Sequence, residues 1–227
     1  MKFPRGFKLE ANRISVQMRT ELGLEPHSPL CPWRLAEHLS ISAIPLRNLA
    51  EDNPAIEGEV NYLVNVDSGV FSAITIFDGS YRFIIHNDGH APTRQRANLA
   101  HELAHALLNH APHPPFCKHG KRVFNRQLED EASWLGPTLL VSNEAAQWAF
   151  RLGMTEETAG LHFGVSRQLL GNLQRDGQHA GRHGGARRCR TRWAVALGGC
   201  SGRGAVALGV VEPVERPQQG QPQSADG

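Results

Sequence analysis

The sequence predicts an α+β domain, a small antiparallel β-sheet packed on one partly apolar helix, and three observations predict it. The run "GVFSAITIFDGSYRFIIHND" is rich in Val, Ile, Phe and Tyr and has Asp78-Gly79 at its centre. Asp-Gly between two such runs favours a tight hairpin, so strands are expected near residues 70–77 and 81–86. Next comes "RQRANLAHELAHALLNH", which keeps Leu and Ala at helical spacing, and then "NRQLEDEASWLGPTLLV", which does the same.

The remaining elements follow in chain order. "KLEANRISVQMRTELGL" places Leu9, Ile14, Met18 and Leu22 near one helical face, with Gly23 as its stop. "PWRLAEHLSI" puts Pro32 in a first helical turn, with Leu35, Leu39 and Ile41 as the apolar side. After the hairpin, Thr93 is the expected N-cap of the helix that follows. Gly136-Pro137 should end or kink the next one. Ser142 is an expected N-cap for "NEAAQWAFRLG", without a capping box because Ala145 stands where Glu or Gln is needed. "TEETAGLHFGVSRQLLGNL" reads as helix, turn at Gly164, helix. The domain is expected to span residues 1–174: N-terminal helices and hairpin to 90, the two central helices over 91–141, closing helices over 142–174.

Beyond residue 174 the composition changes. Residues 175–227 hold 11 of the 23 glycines, eight arginines and no lysine, and carry +4 against −2 for the first 174. No apolar period runs through them, so they are expected to form a disordered tail. The same bias is what a reading frame out of register would leave. The whole chain is near neutral at +2 and 40% hydrophobic, which names no nucleic-acid or membrane partner. Its start, "MKFPRGFKLEANRIS", lacks the apolar core of a signal peptide, and no apolar run is long enough to span a bilayer. The cysteines Cys31, Cys117, Cys189 and Cys200 are far apart, so reduced thiols and a cytoplasmic location are expected.

The chemistry concentrates in "NLAHELAHALLNH". His101 and His105 are four residues apart, so on a helix both imidazoles leave one face about a turn apart. Polar groups on a greasy helix cost solvation free energy unless something satisfies them. Two imidazoles at this spacing match two corners of a tetrahedral Zn²⁺ site. Glu102, turned about 100° from His101, reaches beside such an ion, where a carboxylate can act as general base towards an activated water. The pattern fits hydrolysis of an amide. A third histidine at metzincin spacing is absent, since Leu108 and Ala111 stand where Gly and His would, and His110 is expected to point away from the ligand face. A carboxylate from the following helix is the other common solution, and "LEDEASWLG" offers Glu129, Asp130 and Glu131. Glu129 is best placed, because Ala132, Leu135 and Leu139 would then pack on the histidine helix; Glu131 is second.

These three segments, "RQRANLAHELAHALLNH", "LEDEASWLGPTLLVSNEAA" and "HFGVSRQLLGNL", resemble the ImmA/IrrE family of zinc metallopeptidases over roughly Phe7 to Leu173. The resemblance implies a zincin-like fold, with His101, His105 and Glu129 as gluzincin-type ligands and Glu102 as the catalytic base. It implies a protein substrate, a helix-turn-helix repressor, cut or inactivated by the enzyme. The family often has Asn or Asp where this chain has Ser133, Phe-Ala where it has Leu135-Gly136, and a Pro-containing ending where it has "LLVS". If residue 133 orients a ligand histidine, Ser133 does so weakly.

Other readings compete. His110, His113, Cys117 and His119 are irregularly spaced among prolines and read as a loop bordering the cleft rather than a second metal site; His113 or His119 is a candidate to stabilise an oxyanion. "ETAGLHFGVSRQLLGNLQR" has the spacing of a helix-turn-helix, which would make the protein a DNA-binding regulator. Phosphate contacts dominate DNA affinity, and Arg167 is nearly alone there against Glu156 and Glu157, which argues for packing instead. A zinc-containing binding protein without catalysis keeps the same ligands.

Overall fold

The computed structural model describes residues 3–79, 81–111 and 125–171. The fold is α+β. Helices α1 (Phe7–Glu21) and α2 (Pro32–His38) lead into strand β1 (Ser42–Pro45). Short helices α3 (Leu46–Asp52) and α4 (Glu57–Asn61) follow, the latter running on into a π-helical turn over Tyr62–Val66. The hairpin β2 (Ala73–Asp78) and β3 (Tyr81–His86) precedes the long helices α5 (Pro92–Leu107) and α6 (Arg126–Leu140), and α7 (Asn143–Arg151) and α8 (Glu156–Phe163) close the described fold.

The sheet order is β1-β3-β2, so the expected hairpin gains a third strand that lies parallel to β3. Its register pairs Thr75 with Ile84 and Asp78 with Tyr81, with Gly79 in the turn at φ 57°. Side chains alternate across a strand, which divides the sheet between two cores. Ala73 and Ile84 join the main core with Leu99, Leu103, Leu135 and Leu139. Ile74, Ile76 and Ile85 face the other way, onto Leu46, Val60 and Val64. β2 is a sheet edge on the side of α5.

Helix α6 is the axis of the main core, packed on one side by α5 and on another by α1. Ala132, Leu135 and Leu139 are fully buried along it, as the apolar pattern requires. The expected break at Gly136-Pro137 does not occur: α6 continues through Pro137 to Leu140. Proline removes the N–H that would bond the carbonyl of Ser133, but Ser133 lies on the exposed face, where water replaces that bond. The Thr138 hydroxyl donates to the Trp134 carbonyl at 2.8 Å, and the Val141 N–H returns to the Pro137 carbonyl at 2.9 Å.

Two further expectations need correcting. α1 ends at Glu21, just before Gly23; Met18 is buried and Ile14 and Leu22 pack against the core as expected, but Leu9 is 76% exposed, and Phe7, Ala11 and Ser15 complete the buried face. The buried face of α1 includes Ser15 and Arg19, polar residues satisfied by neighbouring carbonyls, so hydropathy alone misplaces it. Thr93 is not the N-cap of α5, because Ala91 takes that position and Pro92 opens the first turn. By contrast Ser142 does cap α7, accepting from the Ala145 N–H at 3.0 Å. The turn at Gly164 (φ 64°) is present, with residues 167–171 helical after it. The loop carrying His113, Cys117 and His119 and the tail after 174 lie outside the described residues.

Candidate metal centre

Two helices and one strand build the centre. α5 presents His101 and His105 one turn apart, their ring centroids 4.9 Å from each other. Their Nε2 atoms are 3.2 Å apart. α6 brings Glu129 in from its first turn, with Oε2 3.3 Å from Nε2 of His101 and 3.7 Å from Nε2 of His105. With its proton on Nδ1 a neutral imidazole offers a lone pair at Nε2, and a carboxylate only accepts, so in that tautomer the two rings and Glu129 turn three acceptors to one space. A cation is what satisfies such a set. Tetrahedral zinc with bonds of 2.0–2.1 Å separates its donors by roughly 3.3–3.4 Å, which is the size of this triangle. His101, His105 and Glu129 therefore form a candidate metal-binding group, and the donor set fits zinc. The neighbouring His101 and then His105 hold the Glu129 carboxyl well below the usual carboxylate range, so it is an anion ready to bind.

The approach of α6 to α5 is close because of one glycine. A Cβ at Gly136 would lie 3.1 Å from the Cα and N of His101. That residue looked like a helix breaker in the sequence; in the fold it lets α6 cross α5 at the backbone of His101, a candidate ligand.

Glu102 sits beside the triad and is fixed from the sheet. The Thr75 hydroxyl donates to its Oε2 at 2.6 Å. Thr75 shares the α5-facing side of β2 with Ala73, so the edge strand itself aims the carboxylate. The N-terminal end of α5 is tied down as well. Asn98 Nδ2 meets Nδ1 of His90, whose Nε2 lies 2.6 Å from the Ser68 carbonyl.

His110 does not point away from the ligands. The helix ends at Leu107, and Asn109 takes a left-handed conformation with φ 52°. The N–H of His110 then bonds the His105 carbonyl at 3.0 Å and that of Asn109 the Ala106 carbonyl at 3.1 Å, the paired bonds of a Schellman ending. Asn tolerates this backbone better than other non-glycine residues. The turn folds the His110 ring onto His105, with Nδ1 to Nδ1 2.8 Å. On its far side Nε2 of His110 reaches Oε2 of Glu131 at 3.2 Å, and Gln127 donates to the other Glu131 oxygen at 2.9 Å. Burial, helped by the adjacent His105, pushes the His110 imidazole below its ordinary pKa against the pull of Glu131. Two of the three acidic residues of α6 thus part company: Glu129 meets Nε2 of His101 and His105, and Glu131 meets His110. Ser133 is exposed and takes no part.

Sequence reasoning missed Thr75 and the contact between His105, His110 and Glu131. Strand alternation in β2 would have put Thr75 on the α5 side. Asn109, a common left-handed helix terminator, was the signal that the chain turns before His110.

Residues 68–172 match the Peptidase_M78 family model, the IrrE N-terminal-like domain. This stretch is similar to the IrrE N-terminal-like domain. No curated protein and no solved structure matches the chain. The matched stretch contains Thr75, all three donors, Glu102 and Glu131, and the family it resembles is one of peptidases. The resemblance seen from Phe7 onwards is narrower at its start, since α1 to α4 precede the matched residues. Those helices still support the centre, because α1 packs on the α6 that carries Glu129. Among the described residues no helix is long and apolar enough to cross a membrane.

Proposed function

We propose that the chain is a zinc-dependent endopeptidase that hydrolyses a peptide bond of a cytoplasmic protein, a helix-turn-helix transcriptional repressor. The observation that carries the zinc part is the convergence of His101, His105 and Glu129, with donor separations of 3.2, 3.3 and 3.7 Å. The peptidase family of residues 68–172 supports the hydrolytic part. The substrate class rests on the resemblance to the ImmA/IrrE family.

A zinc ion held by these three residues supplies Lewis acidity towards water and the scissile carbonyl. The chain's own residues handle the proton and the peptide. Glu102 Oε2 is engaged by Thr75, so the proton of the attacking water goes to Oε1 and from there to the leaving amine. The Thr75 bond keeps the carboxylate from swinging out of reach. An extended substrate can add to the edge of β2 that is unpaired among the described residues, where backbone groups hold it irrespective of sequence while alternate side chains reach the centre.

Glu102→Gln tests the proposal. The amide keeps the size of the side chain and cannot take a proton near neutral pH. The variant should retain zinc and its thermal transition while cleavage falls by about 10²–10⁴-fold. The assay incubates each protein with a repressor encoded beside its gene and maps fragments by mass spectrometry. If wild type and variant lower repressor occupancy equally and no fragment forms, the enzyme reading fails and a zinc-containing binding protein replaces it.

A further inference from the structure

We propose that His110 and Glu131 are positioning residues that fix the tautomer and ring orientation of His105 through a one-way hydrogen-bond chain. The inference rests on the zinc reading above. Both side chains are mostly buried, 6% exposed for His110 and 11% for Glu131, whereas the three donors are more open to solvent. Buried polar side chains of this kind are kept only where their hydrogen bonds are made.

The proton inventory allows one direction. His105 turns Nε2 towards His101 and Glu129, so that nitrogen must be bare to serve as a ligand. The ring's proton is then on Nδ1, which donates to Nδ1 of His110 2.8 Å away. His110 accepts at Nδ1 and therefore carries its own proton on Nε2, which donates to Glu131. The Glu131 carboxyl group ends the chain, and Gln127 donates to its other oxygen. Reversing any link would leave two N–H groups facing each other or a carboxylate facing a lone pair. Ligand histidines usually meet a carboxylate directly; here an imidazole is inserted between them. The left-handed Asn109 makes the insertion possible by turning His110 back over the helix end.

The wild-type full-length protein tests this without mutation. With ¹⁵N-labelled histidine and one equivalent of zinc, His105 should give the Nδ1–H tautomer and His110 the Nε2–H tautomer. A His110 proton on Nδ1 would overturn the inference. Glu131→Gln keeps side-chain shape and removes the carboxyl group that terminates the chain. It should bind zinc about 10–100-fold more weakly in competition with a chromogenic chelator. His110→Asn, whose amide can accept from His105 while donating towards Glu131, should recover part of the affinity that His110→Phe loses. A role in folding alone predicts no change in the His105 tautomer signal in Glu131→Gln. If that signal and the zinc affinity both stay at wild-type values, the inference is wrong although the zinc site stands. Wild type that takes up no zinc overturns the metallopeptidase reading itself, and this inference with it.

Discussion

The two ends of helix α6 hold polar groups in opposite ways. At the C-terminal end Arg19 of α1 is fully buried, and its guanidinium donates to the carbonyls of Ser28, Ser15 and Leu140. Ser15 adds a bond to the Thr138 carbonyl at 2.6 Å. Burial draws the Arg19 pKa down to about 10, opposed by Glu144, so it stays charged at neutral pH. A cation near the last carbonyls of a helix is also on the favourable side of its dipole. Donors and acceptors balance there within the protein. At the N-terminal end His101, His105 and Glu129 instead bring three potential metal-ligating groups together, a set that a cation would complete. The difference separates scaffold from candidate site: a buried polar cluster closed on itself holds the fold, and a part-exposed cluster of potential ligands is suited to a cation.

The largest expected effect breaks the open end. A His101→Ala/His105→Ala variant should fold when metal-free yet gain nothing from zinc. Wild type at free zinc a thousandfold above its dissociation constant should gain about 4 kcal/mol by mass action. Thermal melts with and without zinc measure this. Equal zinc stabilisation in both proteins would place the ion elsewhere.

Breaking the closed end should do the reverse. Arg19→Met keeps much of the volume but strips three carbonyls of their donor, a loss of roughly 2–4 kcal/mol. For a chain of this size that is a fall in Tm of about 5–15 °C, with zinc stoichiometry unchanged. Loss of zinc at temperatures where the variant is still folded would mean that the two ends are one unit.

Gly136 lies between the ends and sharpens the contrast. In Gly136→Ala the new methyl meets the backbone of His101 and Ala100, which cannot rotate aside as a side chain can. The helices must separate by a few tenths of an ångström, at a cost of about 1–3 kcal/mol. Because the crossing is at a ligand, zinc affinity should fall together with Tm. A drop in Tm alone would show that the centre tolerates the shift.

The sequence made some of this legible and hid the rest for identifiable reasons. The hairpin was readable because turn chemistry and β-rich runs agree around Asp78-Gly79, and the main packing of α6 because Ala132, Leu135 and Leu139 share a helical face. β1, α3 and α4 went unread: each is seven residues or fewer, too short to be stable without tertiary contacts. The buried face of α1 was misread because Ser15 and Arg19 are inside, and hydropathy takes no account of the carbonyls waiting for them. Within the site, helical spacing brought out His101, Glu102 and His105. It could not reveal Thr75, which belongs to another element, or the return of His110, which depends on one left-handed residue.

The smallest effect concerns a third kind of buried polar group, one that is neither closed nor converging. His86, at the end of β3, is 3% exposed, and neither ring nitrogen has a hydrogen-bond partner among the described residues. The edge of its contact is Trp33, with ring centroids 6.0 Å apart. Burial lowers its pKa, while Asp88 pulls the other way. The sign of the pH effect follows. Above the unfolded value, about 6.5, the ring is neutral in both states and contributes no pH dependence. Below it the unfolded chain takes up a proton that the buried ring resists, so stability falls as pH falls. His110 is shifted in the same direction, and both wild type and a His86 variant retain it, so the difference between them isolates His86. With metal removed by chelator, the Tm of wild type should fall more between pH 7.5 and pH 5.5 than that of His86→Leu. The leucine should also be no less stable at pH 5.5, because it exchanges two unpartnered nitrogens for apolar surface in an apolar place. Parallel pH profiles would show that water reaches the ring and that His86 belongs with the satisfied groups after all.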